Sequence, residues 1–173
     1  LTSATLTVDG TFDYIRDRLG IAEADQVRFP SEFDFARQAI LYLPPRMPDP
    51  RSPDFAMAAG RQVVEILKRT RGRAFVLFTS YAALRAVQAI AEMALDYPIL
   101  VQGTVPRTQL LRQFRETPHS VLFATSSFWQ GVDVVGEALS CVVVDKLPFA
   151  SPGDPITSAR IDAIRRRGGE PFS

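Results

Sequence analysis

Residues 74–81 read Ala74-Phe75-Val76-Leu77-Phe78-Thr79-Ser80-Tyr81, an unbroken apolar run that ends on two hydroxyl residues and a tyrosine. A half-buried strand alternates apolar with polar side chains, whereas a strand covered on both faces is apolar throughout, as in a parallel sheet. Ala74 to Phe78 therefore predicts a central parallel strand, and Ser80 stands where that strand hands over to a helix. The next residues support this: Leu84, Val87, Ile90 and Ala94 recur at helical spacing and predict a helix over about 80–94. Upstream, Phe55, Ala59, Val63, Ile66 and Leu67 form one apolar face of a helix over 54–70, with Ser52 or Asp54 available as a cap and Gly72 past its end.

Outward from this unit the two periods keep alternating. Strands are predicted at 98–101, 121–124 and 141–144, and helices at 107–115, through Leu110, Leu111 and Phe114, and at 156–167 before Gly168-Gly169. Nearer the start, Leu1 to Leu6 and Ala39 to Leu43 are strand candidates, and Phe12 to Leu19 reads as a helix ended by Gly20. From Pro44 to Pro53 the chain is proline-rich and polar, a loop that a central sheet cannot accommodate. Strands separated by amphipathic helices imply an α/β fold with a mainly parallel sheet covered on both faces and right-handed crossovers. Ligands of such sheets sit in the loops beyond the carboxyl ends of the strands.

Composition narrows the class. A chain of 173 residues that is 46% hydrophobic and 23% charged has material for a full core, so disorder is excluded. Its apolar runs are too short for a membrane helix, and the start lacks a secretory layout, so a soluble intracellular protein is expected. One cysteine, Cys141, allows no internal disulfide, and one histidine, His119, leaves no metal-ligand constellation. A net charge of +1 gives no general electrostatic grip on nucleic acid or membrane. The basic clusters Lys68-Arg69-Arg71-Arg73 and Arg165-Arg166-Arg167 end predicted helices, where cations complement the helix dipole.

Four strand-end segments carry unusual residues. Thr79-Ser80-Tyr81 offers hydroxyls and the amides of a first helical turn to a phosphate oxygen, although simple N-capping by Ser80 needs no ligand. Gln102-Gly103-Thr104 places donors on a flexed loop that suits a sugar-phosphate backbone and equally suits a tight turn. In Ser126-Ser127-Phe128-Trp129-Gln130-Gly131-Val132-Asp133, Gly131 permits close main-chain approach and Asp133 supplies a carboxylate for a hydroxyl such as that of a ribose. Trp129 and Phe128 are equally accounted for by packing beneath that turn. Lys146-Leu147-Pro148-Phe149 closes the set. No GxxxxGK[ST] occurs, so the primary triphosphate cradle is missing from these residues.

Taken in order, these segments resemble the DinG and XPD branch of the superfamily-two DNA helicases, most closely the bacterial DinG-like proteins. Thr2-Ser3-Ala4-Thr5-Leu6 resembles helicase motif III, Phe78-Thr79-Ser80-Tyr81 motif IV, and Ser127 to Asp133 motif V; Asp145 to Phe149 and the following helix resemble the segment after motif V. The resemblance implies a RecA-like three-layer α/β/α domain, the second motor domain of a helicase and incomplete at the C-terminus, with residues 1–9 closing the first motor domain and 10–173 forming the second. It implies that Ser3 and Thr5 couple hydrolysis to domain movement, that Gln130, Gly131 and Asp133 face the nucleotide, and that Thr79, Ser80, Tyr81, Gln102, Thr104, Ser126 and Ser127 face DNA. For the parent protein it implies ATP and Mg2+, single-stranded or forked DNA, five-prime to three-prime movement, a bacterial cytoplasmic setting at the nucleoid, and a role in repair or replication. No membrane and no homo-oligomer are implied, and any iron–sulfur cluster or exonuclease domain lies outside these residues.

Two departures from the family stand out: Gln130 replaces a frequent glutamate, and the chain ends before motif VI and its arginine finger. A fragment with weak DNA binding and no turnover is expected. A DNA-stimulated translocase that does not unwind, and a non-catalytic RecA-like binding module, are the competing readings.

Overall fold

The computed structural model describes residues 1–125, 128–129, 131–148 and 153–170. These divide into two compact units, 1–43 and 44–173.

The larger unit is built around the apolar run at 74–78. Strand β1 (Ala74–Leu77) is buried at every position, and so is β3 (Val121–Ala124). With β2 (Ile99–Val101) and β4 (Cys141–Val144) they form a sheet of order β2-β3-β1-β4 in which every pairing is parallel. Ala74 lies in register with both Val121 and Cys141, so the carboxyl ends of β1, β3 and β4 finish level.

Side chains alternate between two cores. Ala74, Val76, Phe78, Val121 and Phe123 pack with Val63, Val64, Leu67, Leu84, Val87 and Ala91 of helices α3 (Phe55–Thr70) and α4 (Tyr81–Ala94). Phe75, Leu77, Leu122 and Ala124 point the other way, onto Leu110, Leu111 and Phe114 of α5 (Arg107–Glu116) and onto Phe128. The result is the α/β/α layering that a two-sided parallel sheet demands. In α4 the inward position falls on Ala91, while Ala94 is exposed.

The turns into β1 and β3 brace each other. Arg71, Gly72 and Arg73 take φ of 56°, 68° and 51°, and His119 takes 60°. Gly72 is required there, because a Cβ would lie 2.0 Å from the carbonyl oxygen of His119. The His119 ring shares a 2.8 Å hydrogen bond through Nδ1 with the Arg71 carbonyl, so the only histidine is structural.

Coverage of the sheet is incomplete at one edge. Cys141 and Val143 turn toward the α3/α4 core, but Val142 and Val144 are exposed. The last helix, α6 (Pro155–Arg166), buries no residue. Its cap is nonetheless well made: the Asp154 carboxylate accepts from the Thr157 amide at 2.8 Å and its hydroxyl at 2.9 Å, with Pro155 in the first turn.

The smaller unit holds helices α1 (Asp13–Leu19) and α2 (Phe35–Gln38) and one isolated bridge between Val8 and Thr11. The strands expected at Leu1–Leu6 and Ala39–Leu43 do not form. Both segments have strand-forming composition, but neither finds a ladder partner, and composition alone supplies no hydrogen bonds. No helix of the described residues is long and apolar enough to cross a membrane.

Candidate functional site

Because all four strands run parallel, their carboxyl ends share one end of the sheet, and the candidate residues Tyr81, after β1, and Gln102, after β2, are drawn into contact there. Thr79, Ser80 and Tyr81 follow β1 and are exposed. The Ser80 hydroxyl accepts from the Ala83 amide at 3.2 Å, the N-cap expected of it. Gln102, after β2, donates from Nε2 to the Tyr81 hydroxyl oxygen at 3.0 Å. Its Oε1 accepts from the Thr125 amide at 2.6 Å and from the Thr125 hydroxyl at 3.1 Å. Thr104 is exposed and its hydroxyl donates to the Val101 carbonyl at 2.8 Å, closing the turn.

Asp145 completes this end. It follows β4, and its Oδ1 accepts from the Thr79 amide at 3.0 Å, tying the end of β4 to the end of β1. Its other oxygen, Oδ2, is buried without a partner among the described residues. Burial accordingly pushes the carboxyl above the ordinary aspartate range, partly offset by the Thr79 amide, the Lys146 amide and the Lys146 charge. Lys146 itself donates to the Pro50 carbonyl at 2.9 Å and lies 4.7 Å over the Phe55 ring. Asp145 and Lys146 line a cavity of about 250 Å³ walled by Phe55, Phe78 and alanines of α3 and α4.

The turn after β3 takes another course. Since β3 and β4 are parallel, the segment between them must return along the length of the sheet, and it does so over α5. Arg107, in the first turn of α5, donates from Nη2 to the Gly131 carbonyl at 3.1 Å. Arg115, in the last turn, donates from Nη2 to the Asp133 carbonyl at 2.7 Å. Trp129, Val132, Val134 and Leu139 pack on the α5-side core, while Asp133 is exposed. Gly131 has φ of 65°, the left-handed turn that its glycine anticipates. Phe128 is buried beneath the Arg107 guanidinium, whose carbon lies 5.4 Å from the ring centre. Trp129 is therefore a packing residue, and its Nε1 is buried without a partner among the described residues.

The structure thus bonds Gln102 to Tyr81 and Thr125, ties Thr79 to Asp145, and anchors Gly131 and Asp133 separately on α5. Ser126, Ser127 and Gln130 lie outside the described residues. Ser3 and Thr5, in the smaller unit, form a local turn in which the Ser3 hydroxyl accepts from the Thr5 amide at 3.2 Å. Sequence reasoning passed over Thr125, Asp145, Arg107 and Arg115 as site residues. Asp145 carried a usable signal, being a carboxylate directly after an apolar strand. Among the described residues no group of three or more His, Cys, Asp or Glu side chains is placed to hold a metal ion. Mg2+ is assigned no ligand among the described residues.

A parallel α/β domain with polar groups gathered at one end of its strands is a ligand-handling architecture. Residues 63–173 match the family described as the helicase C-terminal domain, and the chain belongs to that family as a RecA-like α/β domain. It is 42% identical over 171 residues to the ATP-dependent DNA helicase YoaA of Escherichia coli, covering 99% of this chain and 27% of the relative. It is 37% identical over 176 residues to the ATP-dependent helicase DinG of Mycobacterium tuberculosis, covering 99% and 26%. A protein named 3'-5' exonuclease DinG from Bacillus subtilis is 31% identical over 182 residues, covering 99% and 20%. The chain therefore spans about a quarter of the length of these relatives, at 27%, 26% and 20%.

Proposed function

We propose that this chain is the second motor domain, together with the end of the first, of an ATP-dependent DNA helicase. Residues 1–9 belong to the first domain in this reading and 10–173 to the second. The observation that carries it is the match of residues 63–173 to the helicase C-terminal domain family, on a chain that aligns almost end to end with proteins named as ATP-dependent helicases. The exposed hydroxyls of Thr79, Ser80 and Tyr81, beside the first turn of α4, suit phosphates of a single strand. Thr104 is a further contact of the same kind. Gly131 and the exposed carboxylate of Asp133 are assigned to the nucleotide, and Ser3 and Thr5 to coupling between the two.

ATP is the substrate of the whole protein, with Mg2+ supplied from the rest of it. What this domain contributes is a grip on the DNA backbone that shifts when ATP closes the cleft between motor domains and relaxes on hydrolysis. Backbone contact gives weak sequence preference and strong salt dependence. Single-stranded or forked DNA is the partner, with movement from the five-prime toward the three-prime end.

The test uses the full-length protein with forked duplexes bearing a five-prime or a three-prime tail. DNA-stimulated ATP hydrolysis with displacement only from the five-prime-tailed fork is expected. Stimulated hydrolysis without displacement would make it a translocase, and neither would reduce this domain to a binding module.

A further inference from the structure

Gln102 is more deeply committed than a surface DNA contact. Its side-chain amide spans three neighbouring strand ends: it leaves β2, accepts two bonds from Thr125 at the end of β3, and donates to Tyr81 at the end of β1. Two of these bonds have a structural reason. The Thr125 amide lies where the β2–β3 ladder runs out, and Thr125 is only 6% exposed, so its amide needs an acceptor that water cannot supply. The Gln102 backbone amide already continues that ladder onto the Phe123 carbonyl at 2.9 Å.

The third bond has no such reason. Tyr81 is 49% exposed, and its hydroxyl would be satisfied by water without Gln102. What the bond does is fix the Tyr81 ring, at the first residue of α4, relative to the last residue before the β3–β4 segment that carries Gly131 and Asp133.

We propose that Gln102 is a positioning residue that couples the DNA-facing start of α4 to the nucleotide-facing segment after β3. This rests on the helicase reading above. A change in the β3–β4 segment reaches Thr125 through the backbone, moves the Gln102 amide by its two bonds there, and turns Tyr81 by the third. Gln102 thereby sets how strongly DNA stimulates hydrolysis, while Tyr81 and its neighbours touch the strand.

The experiment measures ATP hydrolysis by the full-length protein against single-stranded oligonucleotide concentration, which separates the apparent DNA affinity from the plateau rate. Gln102→Met keeps the volume and removes all three bonds, and Tyr81→Phe removes the bond to Gln102 together with the hydroxyl's own DNA contact, whose loss is read in the apparent affinity and not in the plateau. Each is expected to lower the plateau about fivefold, the weight of one hydrogen bond, and the double variant is expected to fall no further than the worse single one. Gln102→Glu can still accept from Thr125 and can accept from the Tyr81 hydroxyl with the bond reversed, so its plateau is expected to stay near wild type.

A Gln102→Met variant with weaker DNA affinity and an unchanged plateau would make Gln102 a DNA contact and overturn the proposal. Equal loss of the DNA-free and DNA-stimulated rates would make its role purely structural and overturn the proposal as well. A wild-type protein whose hydrolysis ignores DNA removes the helicase reading itself, which the wild-type curve reveals before any variant is made.

Discussion

Gly72→Ala separates a backbone clash from simple dihedral strain. Gly72 has φ of 68°, which for an alanine in the left-handed region costs about 1–2 kcal/mol. Its new Cβ would stand 2.0 Å from the His119 carbonyl oxygen, so the two turns must move apart by roughly 1.5 Å to reach a normal contact. That movement strains two bonds between the same turns: Nδ1 of His119 with the Arg71 carbonyl at 2.8 Å, and the Ala74 amide to the Ser120 carbonyl at 3.4 Å. At about 1 kcal/mol each, they bring the expected loss to about 3–4 kcal/mol, or roughly 10–15 °C in Tm. Gly103→Ala is the control, since φ is 96° and nothing lies within 4 Å of a new Cβ. Only the dihedral strain remains there, about 1–2 kcal/mol. Urea unfolding of both variants, followed by fluorescence of the single tryptophan, Trp129, gives the two numbers. Equal losses at the two sites would refute the bracing of the β1 and β3 turns.

The other expectations concern the candidate site and its edges. Asp133→Ala removes an exposed carboxylate whose carbonyl, not side chain, is held by Arg115, so Tm should move by less than about 2 °C while DNA-stimulated hydrolysis of the full-length protein falls at least tenfold; unchanged kinetics would reject the nucleotide-facing assignment. Arg115→Ala frees that carbonyl and should cost about 1 kcal/mol and raise amide exchange across 131–135, read by mass spectrometry. Asp145 has its carboxyl pushed up by burial, so folding favours its protonated form: this contribution is full below the unfolded pKa and is lost as pH rises through the folded one. Asp145→Asn should therefore flatten that falling slope in acid-range unfolding curves. Asp154 is held below the ordinary range by the Thr157 amide, so its support of α6 is present above the unfolded pKa and lost as pH falls through the folded one, which Asp154→Asn should remove from the Thr157 exchange profile.

How far the sequence could be read follows from what each feature depends on. The runs at 74–77 and 121–124 were legible because burial on both faces leaves a purely local signature, and both are buried at every position. Helices α3, α4 and α5 were legible for a similar reason, since the residues of each apolar face lie within a few positions of one another. The four-residue α2, which buries nothing, was not foreseen, and the side-chain cap expected of Ser52 or Asp54 at the start of α3 does not form. Leu1–Leu6 and Ala39–Leu43 carry the same strand-forming side chains, yet a strand exists only when another backbone completes its ladder, and no local pattern reports whether one arrives. The β4 edge shows the same limit. Cys141-Val142-Val143-Val144 reads like a strand covered on both faces, but its place at the end of the order leaves Val142 at 55% and Val144 at 40% exposure.

The site divides along that line too. That polar residues after each strand would gather follows from parallel strands alone, because their carboxyl ends must lie together. Which of them would bond to which depends on the order β2-β3-β1-β4, and spacing along the chain does not encode that order. Gln102 reaches Tyr81 and Thr125 because β3 lies between β2 and β1, and Asp145 reaches Thr79 across 66 residues because β4 pairs with β1. Had β4 joined the opposite edge beside β2, Asp145 would have faced Gln102 in place of Thr79, with the same side chains and a different network.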